Sequence, residues 1–378
     1  MTEHAQSNEY IRNSEVDSPL TRKISWGSPK EIWVVIGLAL LTGLILKIPM
    51  IFGIDEDAYF PRNIGSILLP ALLGYSFFVC KLAIKAHWTL FAVAGALVLY
   101  SNLLPGTLDD SALVLAYFHI PILVWFIFAR AYLGEDWKIS TKRIDFIRFN
   151  GEVVIMGGLL GLSLLLFSAI TIALFELIGY HIEDIYFEKI AIWALGSIPV
   201  LTLYLVHNNR DLTSKISPII AKLFTPPAFL LLLIFSIMLP QAPETIFDDR
   251  DLLLIFNMVL LAVMALILFS FKNEENSTFQ LYLLFGLAAI AIIDNLLALS
   301  AIGVRLFEFG ISANRLALFG LNLLMLSHLS YFGYRIIGVI RSKEELSSVF
   351  YAMGVYLPVY GVWAAIVSLL FPLFFSLI

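Results

Sequence analysis

Apolar runs long enough to cross a bilayer, separated by short polar connections, recur from Ile32 almost to the C-terminus. At about 1.5 Å per residue, some twenty helical residues cover a hydrocarbon core of roughly 30 Å. The pattern predicts eleven spans, over 32–52, 64–82, 88–104, 112–133, 153–179, 190–207, 219–239, 252–271, 279–302, 315–340 and 349–375. The expected fold is all-α, a polytopic transmembrane helical bundle forming a single domain over residues 31–378. Residues 1–30 are polar and mixed in charge with no apolar period, the composition of a disordered tail and not of a signal peptide. Span seven is the weakest of the set. Its strongly apolar run begins only at Ala228, after Pro226-Pro227, which predicts a broken or tilted helix.

Charge then orients the spans. Acidic groups (Asp55-Glu56-Asp57, Asp109-Asp110, Glu183 with Asp184 and Glu188, Glu244 with Asp248 and Asp251) alternate along the chain with basic ones (Lys81 and Lys85, Lys138 to Arg148, Arg210 to Lys222, Lys272, Arg341 and Lys343). Lys and Arg gather in cytoplasmic loops, so the N-terminus is expected inside and the C-terminus outside. Arg305 and Arg315 break the rule by falling in the external connector between spans nine and ten. Either they snorkel toward lipid phosphates or they have a partner, with Asp294, Glu308 and a bound anion as the options.

Composition agrees with this reading: of 378 residues 60% are hydrophobic and 14% charged, against about 25% charged in soluble domains. Cys80 is the sole cysteine, which excludes an internal disulfide and reads as a packing residue. No nucleotide-phosphate loop, zinc-binding H-E-x-x-H pair or nucleophile turn is present. The six histidines never recur at i, i+4, the spacing of a metal pair on one helix. No cofactor, metal site, catalytic pair or nucleic-acid partner is therefore expected. The Asp248-Asp249-Arg250-Asp251 run reads as a topology-setting loop more readily than as a cation and diphosphate site.

The candidate chemistry lies in polar groups within the spans. A charge at the centre of a bilayer costs about 2.5–3.5 kcal/mol on insertion scales, so such groups face a protein interior or a wet cavity. Ala291, Asp294, Asn295 and Ala298 share one helical face; Arg315 and Asn322 share another, with His328, Tyr331 and Arg335 on a third. Asn102, His119, Glu176, Asp294 and Asn322 lie in the outer halves of their spans. Together with Asn295, Asn314, Arg315 and His328 they form the candidate polar cavity. The alternative is that each bonds a neighbouring helix, a contact worth about 0.6 kcal/mol on average. Gly157 and Gly161 form a small-xxx-small pair, Pro70, Pro121, Pro199 and Pro358 are expected to kink their spans, and Glu31, Gly37 and Thr42 align loosely with Glu152, Gly158 and Ser163 as in a four-span repeat.

The segment from Gly310 to Asn322, G-I-S-A-N-R-L-A-L-F-G-L-N, resembles the signature of a bacterial integral-membrane family known as domain of unknown function 4153. Gly310, Asn314, Arg315, Gly320 and Asn322 match the pattern, and Ser312 stands where threonine is more usual. The resemblance implies a multi-pass protein of the bacterial plasma membrane and brings no activity or catalytic residue. Physically, Gly310 ends one element, Ser312 caps the next helix and Gly320 admits a neighbour. Arg315 near a helix N-terminus opposes the macrodipole and so implies a compensating partner. The leading functional expectation is a permease with an outward-facing polar cavity between spans nine and ten, handling a small solute or a lipid. A structural or assembly protein of the envelope is the alternative, and a lipid-linked transferase the third. The lipid bilayer is the partner that the composition demands; the oligomeric state stays open.

Overall fold

A computed structural model describes residues 25–80, 83–106, 108–177, 180–213, 216–239, 250–270 and 277–376. Most of the N-terminal tail, Lys81, Lys215, Lys272 and the acidic stretch from Glu244 to Asp249 lie outside these. The described residues form helices and no strand. Eleven helices are long and apolar enough to span a membrane: α1 (Pro29–Phe52), α2 (Glu56–Val79), α3 (Ile84–Leu103), α4 (Ser111–Leu133), α5 (Ser140–Leu177), α6 (Glu183–Asn208), α7 (Ile216–Met238), α8 (Arg250–Ser270), α9 (Thr278–Phe309), α10 (Ala313–Ile340) and α11 (Leu346–Phe375). The chain is a multi-pass, all-α membrane protein.

Side-chain caps set several helix starts. Ser28 accepts from the Glu31 amide while Glu31 reaches back to the Ser28 N–H, satisfying two of the amide donors that a helix start leaves open. Asp110 and Ser277 cap α4 and α9 by single bonds, accepting from the Ala112 and Gln280 amides. The polar residues expected as loops before spans two and five are instead helical. In α2, Arg62 donates to the Gly106 carbonyl at 3.2 Å, and Asn63 pairs with Asn102. In α5, Arg143 donates to the carbonyls of Trp137 and Gly354, each at 2.8 Å.

The second of these bonds explains a break in α11. Its helix divides at Tyr356 into Leu346–Val355 and Leu357–Ala365. Pro358 has no N–H for the carbonyl four residues back, which is that of Gly354, and a freed carbonyl inside a membrane protein must find another donor. Arg143 is that donor. Span seven shows the opposite outcome, a continuous helix carrying Pro226 and Pro227 within it. Thr225, beside them, bonds the Ala221 carbonyl at 2.7 Å and Ser270 on α8 at 2.8 Å, while Ser236, three turns on, reaches α9. This span is neither broken nor stopped by its prolines.

Contacts group the helix ends as alternate crossings require. At one end Ser101 donates to the Arg62 carbonyl at 2.5 Å, joining the start of α2 to the end of α3. At the other, Glu31 accepts from Tyr75 at 2.6 Å and Asn208 at 2.7 Å, and Glu152 accepts from Thr213 at 3.1 Å. The two glutamates of the loose repeat are thus both buried against the end of α6 or the turn after it. The hydroxyls are not equivalent, since Thr42 is buried and Ser163 exposed.

Among the described residues two large apolar cores fill most of the bundle. One joins α5 and α7–α11 around Phe256, Leu260, Ala288, Ala291, Met325 and Phe332; the other joins α1–α6 around Tyr75, Phe128, Phe146, Val200 and Leu203. A close helix crossing puts Gly196 of α6 against Gly43 of α1, where a Cβ on Gly196 would stand 3.0 Å from the Gly43 backbone. Gly161 of the expected small-residue pair has no neighbour within 4 Å at its Cβ position, and Gly157 meets Thr202 at 3.5 Å and Ile198 at 3.9 Å, ordinary van der Waals distances. Gly196→Ile should therefore destabilise the fold by about 1–3 kcal/mol through overpacking, seen as a lower unfolding temperature in detergent. Gly161→Ile should leave that temperature unchanged.

Candidate functional site

The connector from α9 to α10 is built by three residues. Gly310 sits at φ +75°, ψ −176°, a conformation that side chains with a Cβ rarely adopt. Ser312 follows in extended conformation, and its hydroxyl accepts from the Arg315 amide at 3.4 Å, capping α10. The Arg315 side chain then folds back. Its Nη1 donates to the carbonyls of Phe309 at 2.9 Å and Gly310 at 2.8 Å, and the guanidinium lies 5.5 Å from the Phe309 ring centroid. The compensation that Arg315 needs at a helix N-terminus is supplied by the negative C-terminal pole of the preceding helix. Neither Asp294 nor Glu308 is its partner; among the described residues it makes no ion pair. The Trp363 indole of α11 occupies the space a Cβ on Gly320 would need.

Arg315 lines a cavity of about 480 Å³ enclosed by α4, α8, α9 and α10, within the size range of small-molecule sites. Its mouth carries Ser111, Arg305, Ser312, Asn314 and Arg315, and the residues one to two turns deeper are mostly aliphatic, including Leu115, Ile302, Leu318 and Leu321. His119 is the polar exception at depth, with Nδ1 at 2.7 Å from the Leu115 carbonyl. The Asn314 amide makes no hydrogen bond among the described residues. Three helices, α4, α8 and α10, begin at this end, where the Asp110 carboxylate caps α4 and the Ser312 hydroxyl caps α10. The negative pole of α9 is covered by Arg315.

Below the cavity lies a buried polar network. Asn295 donates to Asn322 at 3.1 Å, Asn322 to Asn257 at 2.5 Å and to the Leu318 carbonyl at 2.9 Å, and Asn257 to the Leu253 carbonyl at 2.7 Å. Asp294 accepts from Ser236 at 2.9 Å. Asp294, Asn295 and Asn322 have no exposed surface, so none faces lipid. Asp294 Oδ1 and Asn295 Oδ1 have no donor among the described residues, a cost of about 1–3 kcal/mol for each buried group. Asn257 and Ser236 are the members that sequence reasoning missed. Each stands alone within an apolar run of its helix, and each also bonds the carbonyl four residues back.

The remaining candidates stand apart. His328 is buried, stacked on Tyr356 at 4.6 Å and 7°, with Nδ1 3.3 Å from the Tyr360 hydroxyl, and it packs against the break in α11. Asn102 exchanges hydrogen bonds with Asn63 at 2.8 and 3.0 Å, joining α3 to α2. Glu176 lines a separate space of about 720 Å³ between α5 and α6. Cys80 is half-buried and its Sγ donates to the Tyr132 carbonyl at 3.4 Å, which suits packing and not nucleophilic chemistry. Among the described residues no three His, Cys, Asp or Glu side chains gather as a metal set would. No family model, curated protein or solved structure matches the chain.

Asn322 is the hub of the network. Asn322→Ala leaves both Asn295 and Asn257 short of a partner in the buried interior and should lower stability by about 1–3 kcal/mol. Asn102→Ala, at an exposed position, should cost less. Unfolding in detergent measures both, and an Asn322→Ala protein as stable as the parent would exclude the network as a structural lock.

Proposed function

We propose that this chain is a permease of the bacterial plasma membrane that takes an anionic solute into an outward-facing cavity at the Arg315 end. The observation that carries this reading is a guanidinium with no carboxylate partner, lining a cavity beside Arg305 and the unbonded Asn314 amide. Alternating loop charge puts this end outside, and the likeness of residues 310–322 to a bacterial membrane family supports the location. The aliphatic floor and the asparagine network beneath it close the path toward the other side, as an outward-open state requires. The expected convergence of polar groups is thus divided: His119, Asn314 and Arg315 line the cavity, while Asp294, Asn295 and Asn322 lock the helices below it.

Electrical recording tests the reading. Protein reconstituted on a solid-supported membrane should give transient currents on concentration jumps of inorganic phosphate, hexanoate or octyl phosphate. Arg315→Gln should abolish them while the protein stays folded. Folded parent protein giving no current with any of these anions would exclude the permease and favour an envelope assembly role.

A further inference from the structure

Asp294 sits midway along α9 and has no exposed surface. Its Oδ1 has no donor among the described residues, and its Oδ2 has the Ser236 hydroxyl of α7 at 2.9 Å. That hydroxyl also stands 2.7 Å from the Leu232 carbonyl oxygen. Both are hydrogen-bond distances, and each needs a hydrogen between its two oxygens. A serine hydroxyl has one hydrogen to give, while a carbonyl or an ionised carboxylate has none. With Asp294 ionised, one of the two contacts would set bare oxygens against each other. With a proton on Asp294 both close: Oδ2–H donates to Ser236 Oγ, and Ser236 donates to Leu232.

The surroundings agree with a neutral acid. α9 packs on α7, α8 and α10. From these helices Ser236 faces the carboxyl, while the adjacent Asn295 bonds Asn322, which bonds Asn257; none of these side chains carries a charge. Along α9, Tyr282, Arg305 and Glu308 are about three turns away or more. Lys222 precedes Ser236 on α7 by about four turns, and Arg250 and Asp251 are at the start of α8. On α10, Arg315 is at the start, and His328, Tyr331, Tyr334 and Arg335 lie beyond Asn322, with His328 stacked on α11. An ionised carboxyl here would be a buried charge with a single donor, which proteins relieve by neutralising the group. A hard metal ion in place of the proton would need about six oxygens, more than Asp294, Ser236 and Asn295 bring. We infer that Asp294 is a proton-binding site, neutral while α7 and α9 are in contact, and that its proton is the ion the permease couples to its anion. Ser236 stands in the last turn of α7, so parting that turn from α9 opens the carboxyl to water, which takes the proton and leaves a carboxylate.

The coupling rests on the permease proposed above; the proton site does not. The first test is infrared spectroscopy of the full chain in phosphatidylcholine nanodiscs at neutral pH. The parent spectrum minus that of Asp294→Asn should contain the C=O stretch of a protonated carboxyl, shifted to lower wavenumber in D2O. Ser236→Ala removes the acceptor of the proposed proton and should keep the band but move it to higher wavenumber. Should Asp294→Asn fail to fold, that movement decides the matter: an acid band that Ser236→Ala leaves in place, or no acid band, would overturn the site. So would a carboxylate band in the difference spectrum, or an acid band lost when sodium chloride replaces choline chloride. A second test uses linkage. The folded chain holds one proton more at this position than the unfolded chain, so stability falls as pH rises above the ordinary aspartate range of about 4. The unfolding constant of the parent should grow with pH about tenfold per unit faster than that of Asp294→Asn, until the acid band is lost; equal slopes would overturn the site. Coupling is read from hexanoate currents between neutral and alkaline pH, where hexanoate stays ionised. They should fall as pH rises in the parent and lose that dependence in Asp294→Asn. Parent currents indifferent to pH would reject the coupling and keep the site, and an acid band in a protein that gives no current would reject the permease and keep the site.

Discussion

Inside a hydrocarbon layer no water is at hand to solvate an amide, a carbonyl or a carboxylate, so each polar departure from a plain apolar helix has to be met by another part of the chain. That requirement organises this bundle. The carbonyl freed by Pro358 on α11 is taken by Arg143 of α5. The side-chain amides of α8, α9 and α10 are joined through Asn322. The terminal carbonyls of α9 are taken by Arg315 at the start of α10. In each case a local defect in one helix becomes a bond to another. Apolar packing alone has little preference among helix neighbours in lipid, because the tails are as apolar as leucine; these polar bonds make particular neighbours obligatory.

Arg315 shows how one side chain can serve the fold and leave chemistry over. A guanidinium has five N–H donors in a rigid fork, and the end of α9 occupies one nitrogen. Replacing arginine by a residue with a single donor would serve the cap or the cavity, and only the fork reaches both.

Much of this was legible in the sequence, because hydrophobic length and loop charge are one-dimensional quantities. The eleven spans, the Ser312 cap and the close approach at Gly320 follow from residue order and elementary geometry. The continuity of span seven did not, since whether a proline pair breaks a helix depends on what stands beside it, here Thr225 with Ser270. The grouping of polar residues by depth also misled. Asn102, Glu176 and Asp294 sit at comparable depth yet belong to different interfaces, and depth along a helix says nothing about azimuth relative to helices far away in sequence. Ser236 and Asn257 escaped notice for the same reason: an isolated polar residue in an apolar run has a satisfying backbone carbonyl four residues back, and only the assembled bundle reveals its second partner.

The cavity and the network under it are mechanically one object. Leu318 and Leu253 line the cavity with their side chains, and their carbonyls accept from Asn322 and Asn257. The bond between those two asparagines joins α10 to α8 across the cavity floor. A shift of α10 against α8 that reshapes the floor must therefore stretch that bond, and a change in the network must move the walls. Asn295 ends this chain of amides, and among the described residues its Oδ1, like Oδ1 of the neighbouring Asp294, has no donor.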